Sequence, residues 1–396
     1  SGFDGIRSLA TNTFGILQQS NDWNAIANFI SGSDSQMSKE AFYSKLLRTP
    51  ENQLPKTKHV VTINFVDFPC LDGESRSEPP ENVVTDKYLI CSSLGAGKCR
   101  AMACDPQHMD LKFLPWAGIA AHLSRNGQNP PALQGNAFCF LPLPAETGFS
   151  VHLNGYFELS ANRRDIWYGD DMSGAGKIRS EWNRLLLSDV VSPLYTQVLL
   201  TTRFLLGPGK QYDSLWPVTV SSDIWKIVRS RVYSLAPNLP LVYSLLDTGK
   251  WCTLASAVFL DSPEYNNNEG HSDDVQVVTT KTLMAILLQE KINVVAMSPA
   301  VISCMNDEQC GIIKVSPSMV REWYRKPNNH PSLHDRENVI FLLRYCIDDL
   351  IESRKFNNLY GLPLLPLLNG LNGTIGQPNS QEYFFVPSDV EKNLLV

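Results

Sequence analysis

The sequence predicts an α+β fold of mixed character, with a mixed sheet packed against helices in each half of the chain. Three observations carry this. Strand, helix and short strand recur along both halves, which is the pattern of mixed layers. Residues 151–159 alternate strictly, with Val151, Leu153, Phe157 and Leu159 on one side and His152, Asn154, Tyr156 and Glu158 on the other. Beyond a glycine-rich turn, Ile178, Trp182, Leu185, Leu186 and Val190 repeat at three and four, an amphipathic helix.

Taken in order, the first fifty residues read as short helices: Trp23, Ile26, Phe29 and Ile30 keep helical spacing, as do Phe42, Leu46 and Leu47. Residues 60–66 are rich in β-branched side chains and read as a strand. A polar, proline-containing loop follows over residues 71–81. Strands are predicted at 87–92, 137–141 and 151–159, with Gly155 on the apolar face to admit close packing. The helix from Ile178 is expected to break at Pro193, which starts a second helix running to Leu205. Gly207-Pro208-Gly209 ends that helix and marks a boundary, giving a helical segment 1–50, a mixed-sheet domain 51–207 and a second α/β domain 208–396. In the last part, Ser222 or Asp223 caps a helix carrying Ile224, Trp225, Ile227, Val228 and Val232. Short strands follow at 239–246 and 253–260, then an acidic loop 264–274 and a helix 281–290. Ser316-Pro317 reads as a cap with proline at the first helical position. The helix 336–356 carries Val339, Leu343, Ile347, Leu350 and Ile351 on one side.

Composition narrows the function. With 43% apolar and 19% charged residues over 396 positions, the chain has enough apolar material for a real core. A net charge of −6 and the absence of any dense Lys/Arg run argue against a nucleic-acid partner. No run of eighteen uncharged apolar residues occurs. Residues 190–206 come nearest and are interrupted by Pro193, Gln197 and Arg203, so no membrane partner is expected. The nine cysteines are an odd number spread through apolar runs, as in Phe138-Cys139-Phe140. Free buried thiols of a cytoplasmic protein fit them better than a disulfide framework.

Most tempting motifs fail on spacing. Gly95-Ala96-Gly97-Lys98 lacks a phosphate loop's earlier glycine, with Ser92 in its place, and its hydroxyl after the lysine, with Cys99 there instead. Gly174-Ala175-Gly176-Lys177 fails in the same way, with Asp171 and Ile178. Cys91, Cys99, Cys104 and His108 lack paired zinc-ligand spacing, and Pro331 interrupts His330 and His334. One constellation remains: Asn162-Arg163-Arg164-Asp165, followed by Lys177 and Arg179. Adjacent arginines after a strand, facing a glycine-rich turn with further cations, suit an anion such as an ATP phosphate. Pairing with Asp165, Asp170, Asp171 or Glu181, merely to hold the loop, is the plainer reading of the same charges.

The passage Phe140-Leu141-Pro142-Leu143-Pro144-Ala145-Glu146-Thr147-Gly148, running into Val151–Leu159 and on to Asn162-Arg163-Arg164-Asp165-Ile166-Trp167, resembles the repeat region of the sacsin-like family. Leu94–Cys99, Leu114–Ala120 and Tyr360-Gly361-Leu362-Pro363-Leu364-Leu365-Pro366-Leu367 resemble the same region, most strongly over residues 85–205. The resemblance implies a segment of a very large molecular chaperone of protein quality control, whose repeats each begin with a GHKL-type ATPase module. That module's pocket motifs are not recognisable here. This segment is then expected to follow the pocket as a transducer-like domain and to bind no cofactor alone, ATP and magnesium belonging to the adjacent module. Arg163, Arg164, Lys177 and Arg179 are the expected phosphate contacts. The expected partners are that module and client proteins or co-chaperones. The rival readings are an ATPase or phosphate-handling domain using the Arg163–Lys177 cluster, and a purely architectural spacer.

Overall fold

The computed structural model describes residues 23–31, 38–66, 83–169, 173–261, 273–367 and 370–376. The predicted loop 71–81, the residues Asp170 and Asp171 and nearly all of the acidic loop 264–274 lie outside them. The structure is α+β, with mixed sheets packed against helices. Two compact units emerge: one takes the chain up to Val242 with Cys252–Ala255 and Ser298–Gly311, the other the remainder.

The first unit opens with α1 (Trp23–Ser31) and α2 (Lys39–Arg48), where Ser38 caps α2 by accepting from the Ala41 amide. A six-stranded sheet follows: β1 (Lys56–Val66), β2 (Val83–Leu94), β3 (Trp116–Arg125), β4 (Asn136–Cys139), β5 (Leu141–Glu146) and β6 (Val151–Gly155). The order across the sheet is β1-β2-β3-β6-β4-β5, all antiparallel except β4 beside β6. The strand predicted at 137–141 is two strands. Phe140, held at φ 60°, folds β4 back onto β5. The predicted strand 151–159 ends sooner, at Gly155, although burial keeps alternating through Phe157. Gly155 is on the buried side as expected, where a Cβ would sit 2.9 Å from the Phe157 ring.

The helix after the glycine-rich turn does not break at Pro193. α4 (Ala175–Leu186) passes through a π turn (Leu187–Val191) into α5 (Ser192–Leu206). Proline has no N–H and crowds the carbonyl four residues back. Widening the turn accommodates it: the Ser192 amide bonds to the Leu187 carbonyl five residues earlier, and Ser192 Oγ donates to the same oxygen at 2.7 Å. Among the described residues, 175–206 is the one helix long and apolar enough to cross a membrane, and 61% of its most apolar window is buried inside the protein. It lies against β2 and β3 and buries Trp182, Leu186, Leu187, Val190, Tyr195, Val198 and Leu199. Gly207 ends α5 with φ 71°, and the unit continues past it into α6 (Asp223–Leu235), whose Trp225, Val228 and Val232 are buried.

The second unit contains most of a five-stranded sheet formed by β7 (Val242–Ser244), β8 (Lys250–Cys252), β9 (Val258–Asp261), β10 (Val294–Met297) and β11 (Ile313–Lys314), in the order β11-β9-β10-β7-β8. β9, β10 and β11 run parallel. α7 (Asp273–Gln289) starts earlier than predicted, and α8 (Pro299–Asp307) belongs to the first unit. Ser316 caps α9 (Pro317–Tyr324) by accepting from the Met319 amide at 3.2 Å, with Pro317 at its start, as the sequence predicts. α10 (Arg336–Ser353) buries Val339, Leu342, Cys346 and Leu350, while Ile351 is exposed rather than on the packed side. The Gly361–Leu367 phrase is core-forming. Leu362 and Leu364 are fully buried beside α10, and a small ladder pairs β12 (Leu365–Pro366) with β13 (Asn372–Gly373).

Candidate functional site

Arg163 and Arg164 sit at the tip of a tightly bonded turn that α4 holds in place. Past β6 the chain runs out through Glu158 and returns through Trp167, closed by a bridge between Leu159 and Ile166. Asn183 of α4 accepts from the Glu158 amide at 2.9 Å and donates to the carbonyls of Glu158 and Trp167, each at 2.8 Å. Trp182 Nε1 donates to the Tyr156 carbonyl at 2.8 Å. At the tip, the Ser160 amide donates to Asp165 O and the Arg163 amide to Ser160 O, both at 2.8 Å. Asn162 Oδ1 accepts from the Arg164 amide at 3.0 Å, the short Asx arrangement that lets Asn build a turn. Arg163 is held at φ 55°, an uncommon conformation for a side chain of its size.

The arginines themselves are exposed. Among the described residues, neither they nor the equally exposed Lys177 has a carboxylate within ion-pairing distance. Arg179 differs: its Nε lies 3.4 Å from Glu158 Oε2, and the guanidinium covers the Trp167 ring. Arg179 thus holds the base of the turn, while Arg163 and Arg164 project from it.

The β4–β5 hairpin meets the same end of the sheet. Cys139 Sγ reaches the Phe157 carbonyl at 3.5 Å, and the Phe140 ring stacks on Trp116 with its edge toward Tyr156. Phe140 and Leu141 remain 49% and 70% exposed, an apolar step beside the cationic tip. Two non-glycine residues in left-handed backbone, Phe140 and Arg163, therefore occur on neighbouring turns, and such strain is commonly kept where side-chain placement matters.

The Gly95–Lys98 loop makes a poor phosphate cradle, because the Gly95, Gly97 and Cys99 amides are already bonded within the protein. Gly95 N–H donates to Pro115 O at 2.6 Å, Gly97 N–H to Glu51 Oε1 at 3.1 Å and Cys99 N–H to Asp189 Oδ2 at 3.1 Å. Two carboxylates occupy the ground where a phosphate would need donors. Asp189 comes from the π turn, which aims it at the start of α3 (Gly97–Ala103). Packing here is close enough that a Cβ at Gly95 would stand 2.1 Å from Val190 Cγ2. Gly95→Ala is accordingly expected to destabilise the first unit by about 1–3 kcal/mol, read as a lower urea midpoint. An unchanged midpoint would show that the loop and the π turn yield freely.

Two buried polar networks gave no signal in the sequence, because their members lie far apart along the chain. Asp86, fully buried on β2, receives Arg125 Nε and Nη2 at 2.8 and 2.7 Å and lies 3.2 Å from His122 Nε2. The Arg125 hydrogen bonds hold its carboxyl below the ordinary range against the opposing effect of burial, with His122 adding to them. His122 stacks on Tyr88, and burial, reinforced by His122, pushes the neighbouring His152 down to about 4. The second network surrounds Glu290 in the other unit. Among the described residues no three His, Cys, Asp or Glu side chains converge to hold a metal, and Cys91, Cys99, Cys104, Cys304, Cys310 and Cys346 are buried thiols.

Compared with known proteins, the chain is similar to human sacsin, 27% identical over 346 residues that make up 82% of this chain. It spans 7% of the length of that relative. No family model and no solved structure matches it. The chain is sacsin-like in sequence over most of its length.

Proposed function

We propose that this sacsin-like chain is a chaperone segment without catalysis of its own. It couples the nucleotide state of an adjacent ATPase module to client or partner contacts, from a cytoplasmic location. The observation that supports this is the rigid turn offering two guanidinium groups with no carboxylate partner among the described residues. A guanidinium matches a phosphate in shape and charge, and with the backbone of the turn already fixed only the arginine side chains remain to be ordered on binding. Lys177, exposed at the start of α4, adds positive charge, whereas Arg179 acts by orienting the turn. ATP and magnesium remain the module's ligands, and Arg163 and Arg164 reach the triphosphate only once that module is attached. The bonded amides of Gly95, Gly97 and Cys99 weigh against an independent phosphate-handling site in this chain.

The test is steady-state ATP hydrolysis by a chain that joins the upstream module to this segment. Arg163→Ala with Arg164→Ala is expected to lower kcat by about tenfold or more, the low end of what a phosphate-directed arginine supplies. Unchanged kcat and KM would leave the segment an architectural spacer. Calorimetric titration of the segment alone with ATP and magnesium is expected to show no micromolar binding; such binding would place the nucleotide pocket within these residues.

A further inference from the structure

The two edges of the six-stranded sheet are built differently. β5, at one edge, has six residues and carries Pro142 and Pro144, which have no N–H to offer a further strand. β1, at the other, has eleven residues and no proline, and pairs in unbroken register with β2 from Lys56↔Ser93 to Val66↔Val83. Its second row of N–H and C=O groups faces away from β2. Burial alternates strictly: Thr57, Val61 and Ile63 are buried, while Lys56, Lys58, Val60, Thr62 and Asn64 are exposed on the opposite face.

That exposed face borders an open cleft of 1040 Å³ with an apolar floor that includes Leu54, Leu94 and Leu194. Lys56, Lys58, Lys98 and Arg231 line it, and none of these forms an ion pair with a described residue. Its two carboxylates accept from neutral donors, Glu51 from the Gly97 amide and Asp189 from the Cys99 amide and Ser188 Oγ, and so keep their charge but are held in place. Four cations against two carboxylates leave the cleft positive on balance, beside a long strand edge.

We infer that β1 and this cleft together receive an extended acidic segment of a partner protein. The segment adds as a seventh strand, with carboxylates against Lys56, Lys58, Lys98 and Arg231. Main-chain hydrogen bonds supply the attachment, and side chains alternating along the added strand supply the selection. Lysines on an edge strand commonly serve to keep copies of the protein from pairing, and here they have both effects. A second β1 would bring Lys56 and Lys58 against like charges, whereas an acidic strand meets opposite ones. The surface is separate from the Arg163–Arg164 tip and independent of any role in nucleotide coupling.

An alternating Glu–Val decapeptide is the probe, titrated into the full 396-residue chain at low ionic strength, with amide hydrogen exchange followed along β1. Binding is expected to slow exchange at outward-facing amides of β1 and to weaken as salt rises. Lys56→Glu with Lys58→Glu is expected to reduce affinity by about tenfold or more, with an unchanged melting curve showing that the fold survives. Arg231→Ala, which leaves the strand untouched, is expected to weaken binding by a smaller factor. Absence of binding, binding without protection of β1, indifference to charge reversal, or displacement of the peptide by equimolar inorganic triphosphate would each overturn the inference, the last by showing that the cleft selects phosphate.

Discussion

Trp182→Ala is expected to destabilise the first unit by roughly 3–5 kcal/mol, a large share of the roughly 5–15 kcal/mol that a folded domain commands. Trp182 is fully buried on α4, and its ring lies parallel to Phe113 with centroids 4.3 Å apart. Removing the indole opens a cavity in the layer between helix and sheet and ends that stacking. The Tyr156 carbonyl also loses its 2.8 Å donor. Trp182→Phe separates these effects in part: it keeps a six-membered ring against Phe113 but removes the N–H with the rest of the five-membered ring, so a smaller loss of about 1–3 kcal/mol is expected. Urea unfolding of both variants decides between them. Equal losses would mean that the hydrogen bond dominates; a wild-type midpoint for Trp182→Ala would show that α4 does not anchor the sheet. Because Trp182 and Asn183 together hold the strand end from which the arginine turn springs, Trp182→Ala should also loosen that turn, seen as faster amide exchange over residues 160–165.

Glu290→Ala is expected to cost the second unit about 3–5 kcal/mol, since it removes one partner from a buried, bonded charge network. The Glu290 side chain is 2% exposed. One carboxylate oxygen accepts from the Ser332 amide at 3.0 Å and from Ser332 Oγ at 2.5 Å. The other lies 2.8 Å from His330 Nδ1 and 3.3 Å from Trp323 Nε1. Tyr324 and Ser332 hydroxyls meet at 2.7 Å, extending the network into the helical core. Alanine would leave these donors buried without an acceptor, whereas Glu290→Gln keeps the volume and should cost less.

The network also fixes a pH dependence. Burial works to raise the Glu290 pKa, but the hydrogen bonds from Ser332, His330 and Trp323 outweigh it and hold the folded value below the ordinary one. A carboxyl depressed in the folded state contributes its full stabilisation above its unfolded pKa, and loses it as pH falls through the folded value. The stability advantage of wild type over Glu290→Gln should therefore be widest near neutrality and shrink in the acid range. A gap independent of pH from 7 down to about 3 would show that the glutamate is not held as a carboxylate.

Much of the secondary structure is legible in residue order alone. The alternation at 151–157, the amphipathic run from Ile178 and the Ser316-Pro317 cap each depend on neighbours within a few residues, and each appears in the fold. The sacsin-like resemblance is equally a property of residue order, and the comparison with human sacsin supports it. Sequence misses begin where a local rule has a tertiary way out. Pro193 ought to end a helix, yet a π turn absorbs it and continues the helix into α5. A single apolar strand at 137–141 becomes a hairpin because Phe140 takes up left-handed backbone, its ring lodged against Trp116.

Residue order thus determined the fold class, the positions of the principal helices and strands, the family likeness, and the presence of adjacent arginines just after a strand. Only the tertiary structure decided that Arg179 is tied to Glu158 while Arg163 and Arg164 are presented at a tip, that Asp189 and Glu51 hold the amides of the glycine loop, and that β1, the longer and proline-free edge strand, lies at the opposite side of the sheet from β5. The physical reason is range. Periodicity, caps and turns are set by groups a few residues apart, whereas a charge is satisfied or left available by groups such as Cys99 and Asp189, ninety residues apart, which meet only when the sheet and its helices pack.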